Sequence, residues 1–357
     1  MPMLQHKTFH GTNFMFQVNR KFLAHRIISC SFLFFFLVCN PAYIHSIQIF
    51  DEETEVSLGK KSDIGIVKMY GLYDDKVLQD YVSETGQKLV DVLDEPTFEF
   101  HFKVVDSSEI NAFALPGGYV YLTRGILAAF NNEAELAGIL GHEIGHVIAH
   151  HGVKQLTKSL GLTLLSLGGV VANPKEGGKW LMVSQSLFNQ ILLGYGRKAE
   201  LEADTLGLLN AYQSAYDPTQ MINFLRGLKF KEMMSGQTYH SFQATHPDTR
   251  DRIIRAEDMA HSLLNRGKKV NLFAERYLSH IAGLEYGGKR NVADRRPYRK
   301  KEFIDLYRVK EGDTFDSIAE HQLGNIKKAM DIAVLNNRRQ NDRLKPGELL
   351  KIVRERS

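Results

Sequence analysis

Cysteine is almost missing from this chain. Two of its 357 residues are cysteine, Cys30 and Cys39, and both lie close to the N-terminus. Beyond that segment there can be no disulfide and no zinc–thiolate site, so a metal would have to be held by histidine and carboxylate. Acidic residues are missing as well until Asp51, whereas Lys7, Arg20, Lys21 and Arg26 precede an apolar run over 27–38. That asymmetry reads as an export signal over 1–46, with small Ser46 at the cleavage position and Met15 as a second possible start. An uncleaved membrane anchor is the competing reading, although the apolar core is short for a span. Lipid attachment at Cys39 is disfavoured by the bulk of Val38 before it. Long hydrophobic runs are absent further on. Residues 159–173 and 180–196 are uncharged for 15 and 17 residues, too short to cross a membrane comfortably, and they flank the turn "NPKEGG". A packed helical hairpin is the first expectation there, with peripheral membrane contact as the alternative. There are no internal repeats or low-complexity tracts.

The formal charge of +4 conceals a division. Residues 289–357 carry 18 Lys/Arg against 11 Asp/Glu, while 47–288 carry 23 against 30. A basic C-terminal part fits an anionic envelope polymer or lipid surface, or is simply a solvated charge run. Nucleic acid is not expected as a partner of an exported chain.

Apolar residues at helical spacing predict a helix over 74–93, and "FEFHFKVV" (98–105) alternates as a strand does. "NAFALPGGYVYLTRG" (111–125) reads as two strands joined at Pro116-Gly117, which suit the centre of a type II turn. Asn132 and Glu135 form a capping-box pattern before a helix expected to run to about His151, with Gly152 as its stop. A further helix is expected near 197–213, and another starts at Pro247 with Asp248 and Asp251 in its first turn.

The chemistry concentrates in "HEIGH" (142–146). Residues four apart on a helix differ by about 40° in direction, so His142 and His146 can aim at one ion. Glu143 lies beside that stripe, placed to take a proton from an attacking water and pass it to a leaving amine. The alternative is a helix whose histidines are only surface or core residues. A catalytic zinc wants a third protein ligand, and "ELEAD" (200–204) offers one. Glu200 and Asp204 share a helix face, whereas Glu202 points away. Glu200 is therefore expected as a ligand, with Asp204 accepting from a ligating ring. His150 and His151 are expected to be structural. His246, before Pro247, is expected in a loop, where it could donate to an oxyanion, occupy the open metal position at rest, or merely anchor the loop.

The HEIGH helix, the "ELEAD" helix, the "NAFALPGGYVYLTRG" hairpin and "THPDTR" (245–250) resemble, in this order, the HtpX-like and CAAX prenyl protease-like zinc metallopeptidases of the gluzincin type. The exported, non-polytopic form is similar to their periplasmic BepA-type branch. The resemblance runs from about 71 to the 250s. It implies one Zn2+ per chain on His142, His146 and Glu200, with Glu143 as general base, Asp204 in support, and His246 and Arg250 bordering the site. An exposed edge strand over 111–115, with Asn111, Ala112, Phe113 and Ala114, would pair with an extended polypeptide. An internal strand that binds nothing is the alternative.

Residues 306–353 show a strand at each end and two short helices between, and "GDT", "IA", "LN" and "LKPGELLKI" resemble a LysM domain. That resemblance implies peptidoglycan binding; the plainer reading is a module that only docks or stabilises. The fold class expected is thus α+β: a helix-rich gluzincin domain (47–262) with a small antiparallel-edged sheet, a linker (263–304), and a βααβ LysM-like domain (305–353). The function expected is that of an exported zinc metalloendopeptidase acting on unfolded or misassembled polypeptides of the periplasm or cell envelope. A client-binding chaperone docked on peptidoglycan is the main alternative, and a cell-wall hydrolase the third.

Overall fold

In the computed structural model, the residues described are 51–166, 187–247 and 250–356, apart from 95, 97, 188, 192, 236–239 and 289–300. The expected signal, most of the apolar hairpin and part of the linker lie outside them. Among the described residues no helix is long and apolar enough to cross a membrane.

Two helices come first. α1 (Glu52–Tyr70) starts where Asp51 accepts from the Thr54 amide, with Glu52, Glu53 and Glu55 in its first turn. Such charges oppose the positive N-terminal end of the helix dipole. α2 (Lys76–Val90) is capped by Asp75 and buries Leu78, Tyr81, Val82, Leu89 and Val90, matching the periodicity, although Val77 is exposed.

β1 (His101–Val105), β2 (Ala112–Leu115) and β3 (Tyr119–Thr123) form one sheet in the order β1-β3-β2. β2 and β3 are the expected antiparallel hairpin, and β1 pairs parallel to β3. Gly117 sits at φ 71°, ψ 22°, the left-handed conformation that the third residue of a type II turn requires. β2 holds the edge position predicted for it, but its residues are buried rather than exposed. Successive side chains point to opposite faces. Ala112 and Ala114 therefore join the main core, while Phe113 and Leu115 join a second core with Leu58, Ile66, Val153, Leu156, Leu187 and Ile191.

The helical part consists of α3 (Arg124–Ala129), α4 (Glu133–Ile148), α5 (His151–Ser166), α6 (Arg197–Gln213), α7 (Thr219–Ser235), α8 (His240–Thr245) and α9 (Arg250–Leu264). α4 is buried along nearly its whole length and crosses α6 closely. It ends at Ile148, three residues before the predicted end at His151, because His150 takes φ 54° and breaks the helical path.

The segment expected as linker is partly built into the core. α10 (Ala274–Ile281) buries Tyr277, Leu278 and Ile281, and β4 (Glu285–Tyr286) pairs with β5 (Lys301–Arg308). After β5 come α11 (Phe315–Leu323), a 3-10 turn, α12 (Ala329–Leu335) and β6 (Leu349–Arg356), which pairs antiparallel with β5. This unit has its own small core around Phe315, Ile318, Ile332, Leu350 and Ile352. The opposite face of β6, with Leu349 and Val353, packs on the main core. Between those two, buried Lys351 reaches across to the carbonyls of Ala128 and Phe130, at 2.8 and 2.7 Å. Strand alternation thus gives β6 two apolar faces and joins the C-terminal unit to the end of α3.

Candidate metal centre

α4 is set at its start by Asn132, whose side chain accepts from the Glu135 amide at 2.9 Å; Glu135 in turn accepts from the Asn131 amide at 2.7 Å. Glycine spacing then decides how near α6 can come. Gly141 and Gly145, each directly before a histidine, face Gly207 and Ala203. A Cβ on either would stand 3.0 Å from a backbone oxygen of α6. Small residues four apart on both helices let the two backbones meet, and this brings "HEIGH" and "ELEAD" together.

Nε2 of His142 and Nε2 of His146 lie 3.1 Å apart. Glu200 places Oε2 3.5 Å from the first and Oε1 3.4 Å from the second. Nδ1 of His246 is 3.2 Å from His142 Nε2 and 3.1 Å from Glu200 Oε1. A tetrahedral zinc with arms of about 2.0–2.1 Å has ligand–ligand edges of about 3.3 Å. These five separations are close to such edges, so the set can hold one zinc ion. Among the described residues, His142, His146, Glu200 and His246 form the cluster able to hold a metal, and all four are buried. The sequence allows loop residue His246 three roles; its position here is that of a fourth donor.

Burial pushes the His146 ring well below its ordinary pKa, which keeps a ligating nitrogen free of protons. Burial alone would raise Glu200, but His246 and the other two imidazoles outweigh it and hold the carboxyl below its usual range. Glu143 is fully buried, and burial raises its pKa despite the pull of His246 and His142. Neither carboxylate oxygen of Glu143 has a hydrogen-bond partner among the described residues, and His246 Nε2 lies 3.3 Å from Oε1. A buried carboxylate with free lone pairs beside a metal pocket is suited to receive a proton.

Nδ1 of His142 lies 3.0 Å from Asp204 Oδ1. Burial would raise Asp204 too, but His142 and Arg252 hold it below the usual range, so it stays an anion. Arg252 grips Asp204 through two nitrogens, at 2.5 and 2.9 Å, and reaches Glu200 at 2.6 Å. Its Nη1 also donates to the Pro247 carbonyl at 3.2 Å. Arg250 is instead exposed, as the first residue of α9. One helix start therefore offered two arginines, and the inward one is Arg252, two residues further on than the one singled out. Tyr195 was also missed; its ring stacks on His146 with centroids 4.1 Å apart. The helical spacing of Arg252 with Ala256, Ala260 and Leu263 could have flagged it as inward-facing, whereas Tyr195 lay in an uncharged run that offered no such stripe. Asn111 is buried near this wall, its Oδ1 accepting from the Thr245 hydroxyl at 3.4 Å. Ala112, Phe113 and Ala114 continue from it along the β2 edge.

Residues 76–260 match the model of peptidase family M48. The Escherichia coli β-barrel assembly-enhancing protease is 30% identical over 199 residues, 54% of this chain and 41% of the relative. The mitochondrial metalloendopeptidase OMA1 of Schizosaccharomyces pombe is 28% identical over 179 residues, 50% of this chain and 52% of the relative. OMA1 of Arabidopsis thaliana is 29% identical over 232 residues, 59% and 46% respectively. The chain thus spans about half the length of these relatives or less. The match covers just over half of the chain, and it includes the metal-binding helix, the carboxylate helix and His246: the chain belongs to peptidase family M48.

Proposed function

We propose that this chain is an exported zinc metalloendopeptidase that hydrolyses extended or misfolded polypeptides in the cell envelope. The observation that carries the reading is Glu143: a buried carboxylate without hydrogen-bond partners among the described residues, next to four donors able to hold one metal ion. Zinc held by His142, His146 and Glu200 supplies Lewis acidity for the scissile carbonyl and the attacking water. Glu143 takes the proton of that water and returns it to the leaving amine; its raised pKa brings its basicity nearer to working pH. Asp204, clamped by Arg252, holds the His142 ring in place. His246, close to His142 and Glu200, would supply a fourth donor to a bound zinc and would have to give up that place for water or substrate.

β2 supports the substrate class. Thr123 donates from its amide to the Asn111 carbonyl at 3.0 Å, so Asn111 pairs inward toward β3. By antiparallel alternation the backbone groups of Ala112 and Ala114 point away from β3; both residues are buried, so an extended chain would add there only once that edge is uncovered. Backbone pairing of that kind is largely independent of sequence, which suits unfolded clients. The name of the E. coli relative, which speaks of β-barrel assembly, fits a role in envelope quality control. The C-terminal unit docks the enzyme on peptidoglycan in this reading. A scaffold that binds clients without cutting them would have no use for Glu143.

The test is Glu143→Gln. The variant should keep one zinc per chain by metal analysis and lose casein cleavage by a factor of about 10² or more. Undiminished cleavage would remove Glu143 from the mechanism.

A further inference from the structure

The two ligating histidines are supported by different chemistry. Behind His142 stands the carboxylate of Asp204. Behind His146 stands another imidazole: His146 Nδ1 lies 2.9 Å from His151 Nδ1, and His151 Nε2 lies 3.4 Å from Glu202 Oε2. His151 is itself buried, while Glu202 is half exposed.

This contact is a product of the break between α4 and α5. Residues five apart on one continuous helix point about 140° away from each other, so His151 would face away from His146. Instead α4 stops at Ile148, His150 adopts φ 54°, and α5 sets off in a new direction that brings His151 onto His146. His150 is held in this unusual conformation by Glu55 of α1, whose Oε2 is 2.7 Å from its Nδ1.

Proton positions follow from the chemistry of the rings. With Nε2 of His146 turned to a metal, its Nδ1 carries the hydrogen and donates. Nδ1 of His151 is then the bare acceptor, and the one proton of that neutral ring sits on Nε2, toward Glu202. We propose that His151 is a positioning residue: the chain His146–His151–Glu202 fixes the tautomer and tilt of His146 and so sets how tightly the site holds zinc. This rests on the zinc reading of His142, His146 and Glu200. Glu202, which points away from the ion, acts on it through His151.

The experiment compares the full chain with His151→Phe, which fills the space without an acceptor, and His151→Asn, whose Oδ1 falls near the position of Nδ1. Zinc retention is titrated against a chromophoric chelator, and the visible spectrum of the cobalt-substituted forms is recorded. The Phe variant should release zinc at a chelator concentration roughly 10- to 100-fold lower than the parent, with an altered cobalt spectrum. The Asn variant should stay within about threefold of the parent and keep its spectrum. A folded Phe variant that holds zinc as tightly as the parent overturns the proposal, and so does an Asn variant as weak as the Phe one. If the Phe variant does not fold, His151→Gln replaces it, since its carbonyl lies one bond too far out; equal retention by the Asn and Gln variants then overturns the idea. A parent that binds no stoichiometric zinc would instead refute the metal reading on which the proposal stands.

Discussion

Gly207 of α6 lies against the backbone of His142 in α4, so that a Cβ added to it would stand 2.7 Å from the His142 nitrogen. No flexible side-chain tip is available there to yield. Gly207→Ala gains about 1 kcal/mol in helix propensity and must push two helices apart at the metal site. We expect a net loss of about 2 kcal/mol in urea unfolding and at least tenfold weaker zinc retention. A variant as stable and as zinc-tight as the parent would mean that the helices are free to slide.

Arg252 and Arg250 separate the inward from the outward arginine. Arg252→Leu leaves the carboxylates of Asp204 and Glu200 buried without their shared cation, which costs about 3–5 kcal/mol in a metal-free protein. Arg250→Ala, at an exposed position, should leave stability and zinc content unchanged. Denaturant melts of the two metal-stripped variants decide the matter; similar midpoints would contradict the assignment.

Lys351 tests how the C-terminal unit is held. Its Nζ and that of Lys231 donate to the carbonyls of Ala128, Ala129 and Phe130, which a helix end leaves without partners. Burial already pushes the Lys351 amine well below its ordinary pKa, but Lys351→Met strands two carbonyls beside Glu135. We expect about 2 kcal/mol of destabilisation, against almost none for Lys345→Met at an exposed position. Equal melting curves for the two would show that the contact contributes nothing.

Glu135 gives a pH signature. Burial pushes its carboxyl up to about 6 although Lys351 and Lys231 lie close by. The folded protein therefore binds this proton more readily than the unfolded chain, and the contribution of the group to stability falls as pH rises from about 4.5 to about 6. Glu135→Gln lacks that change. Its stability relative to the parent should rise by on the order of 2 kcal/mol across this window. A difference that stays flat with pH would show that the carboxyl is not perturbed.

Sequence periodicity and spacing were enough to recognise α2, the β2–β3 hairpin, α4 and α6, because each is determined by residues near one another in the chain. His142, His146 and Glu200 were legible for the same reason, since identity and helical spacing state which side chains share a face. The end of α4 was misjudged because Gly152 looked like the natural stop, whereas the left-handed residue is His150, held by distant Glu55. The linker reading failed at α10: its apolar stripe, Tyr277, Leu278 and Ile281, is well formed but only eight residues long, and it sits in an otherwise basic, poorly patterned stretch.

By itself, the sequence determined the chemistry available to this protein: a histidine pair, a neighbouring carboxylate, a second acidic helix, and no thiols beyond the N-terminal segment. Only the tertiary structure decided which groups stand behind those ligands. Arg252 and His151 took their positions beside those helices from the close approach of α4 and α6 and from the bend after Ile148. Ligand identity is a property of local spacing, but the orientation of a ring is fixed by whatever packs against it, and those partners come from anywhere in the chain.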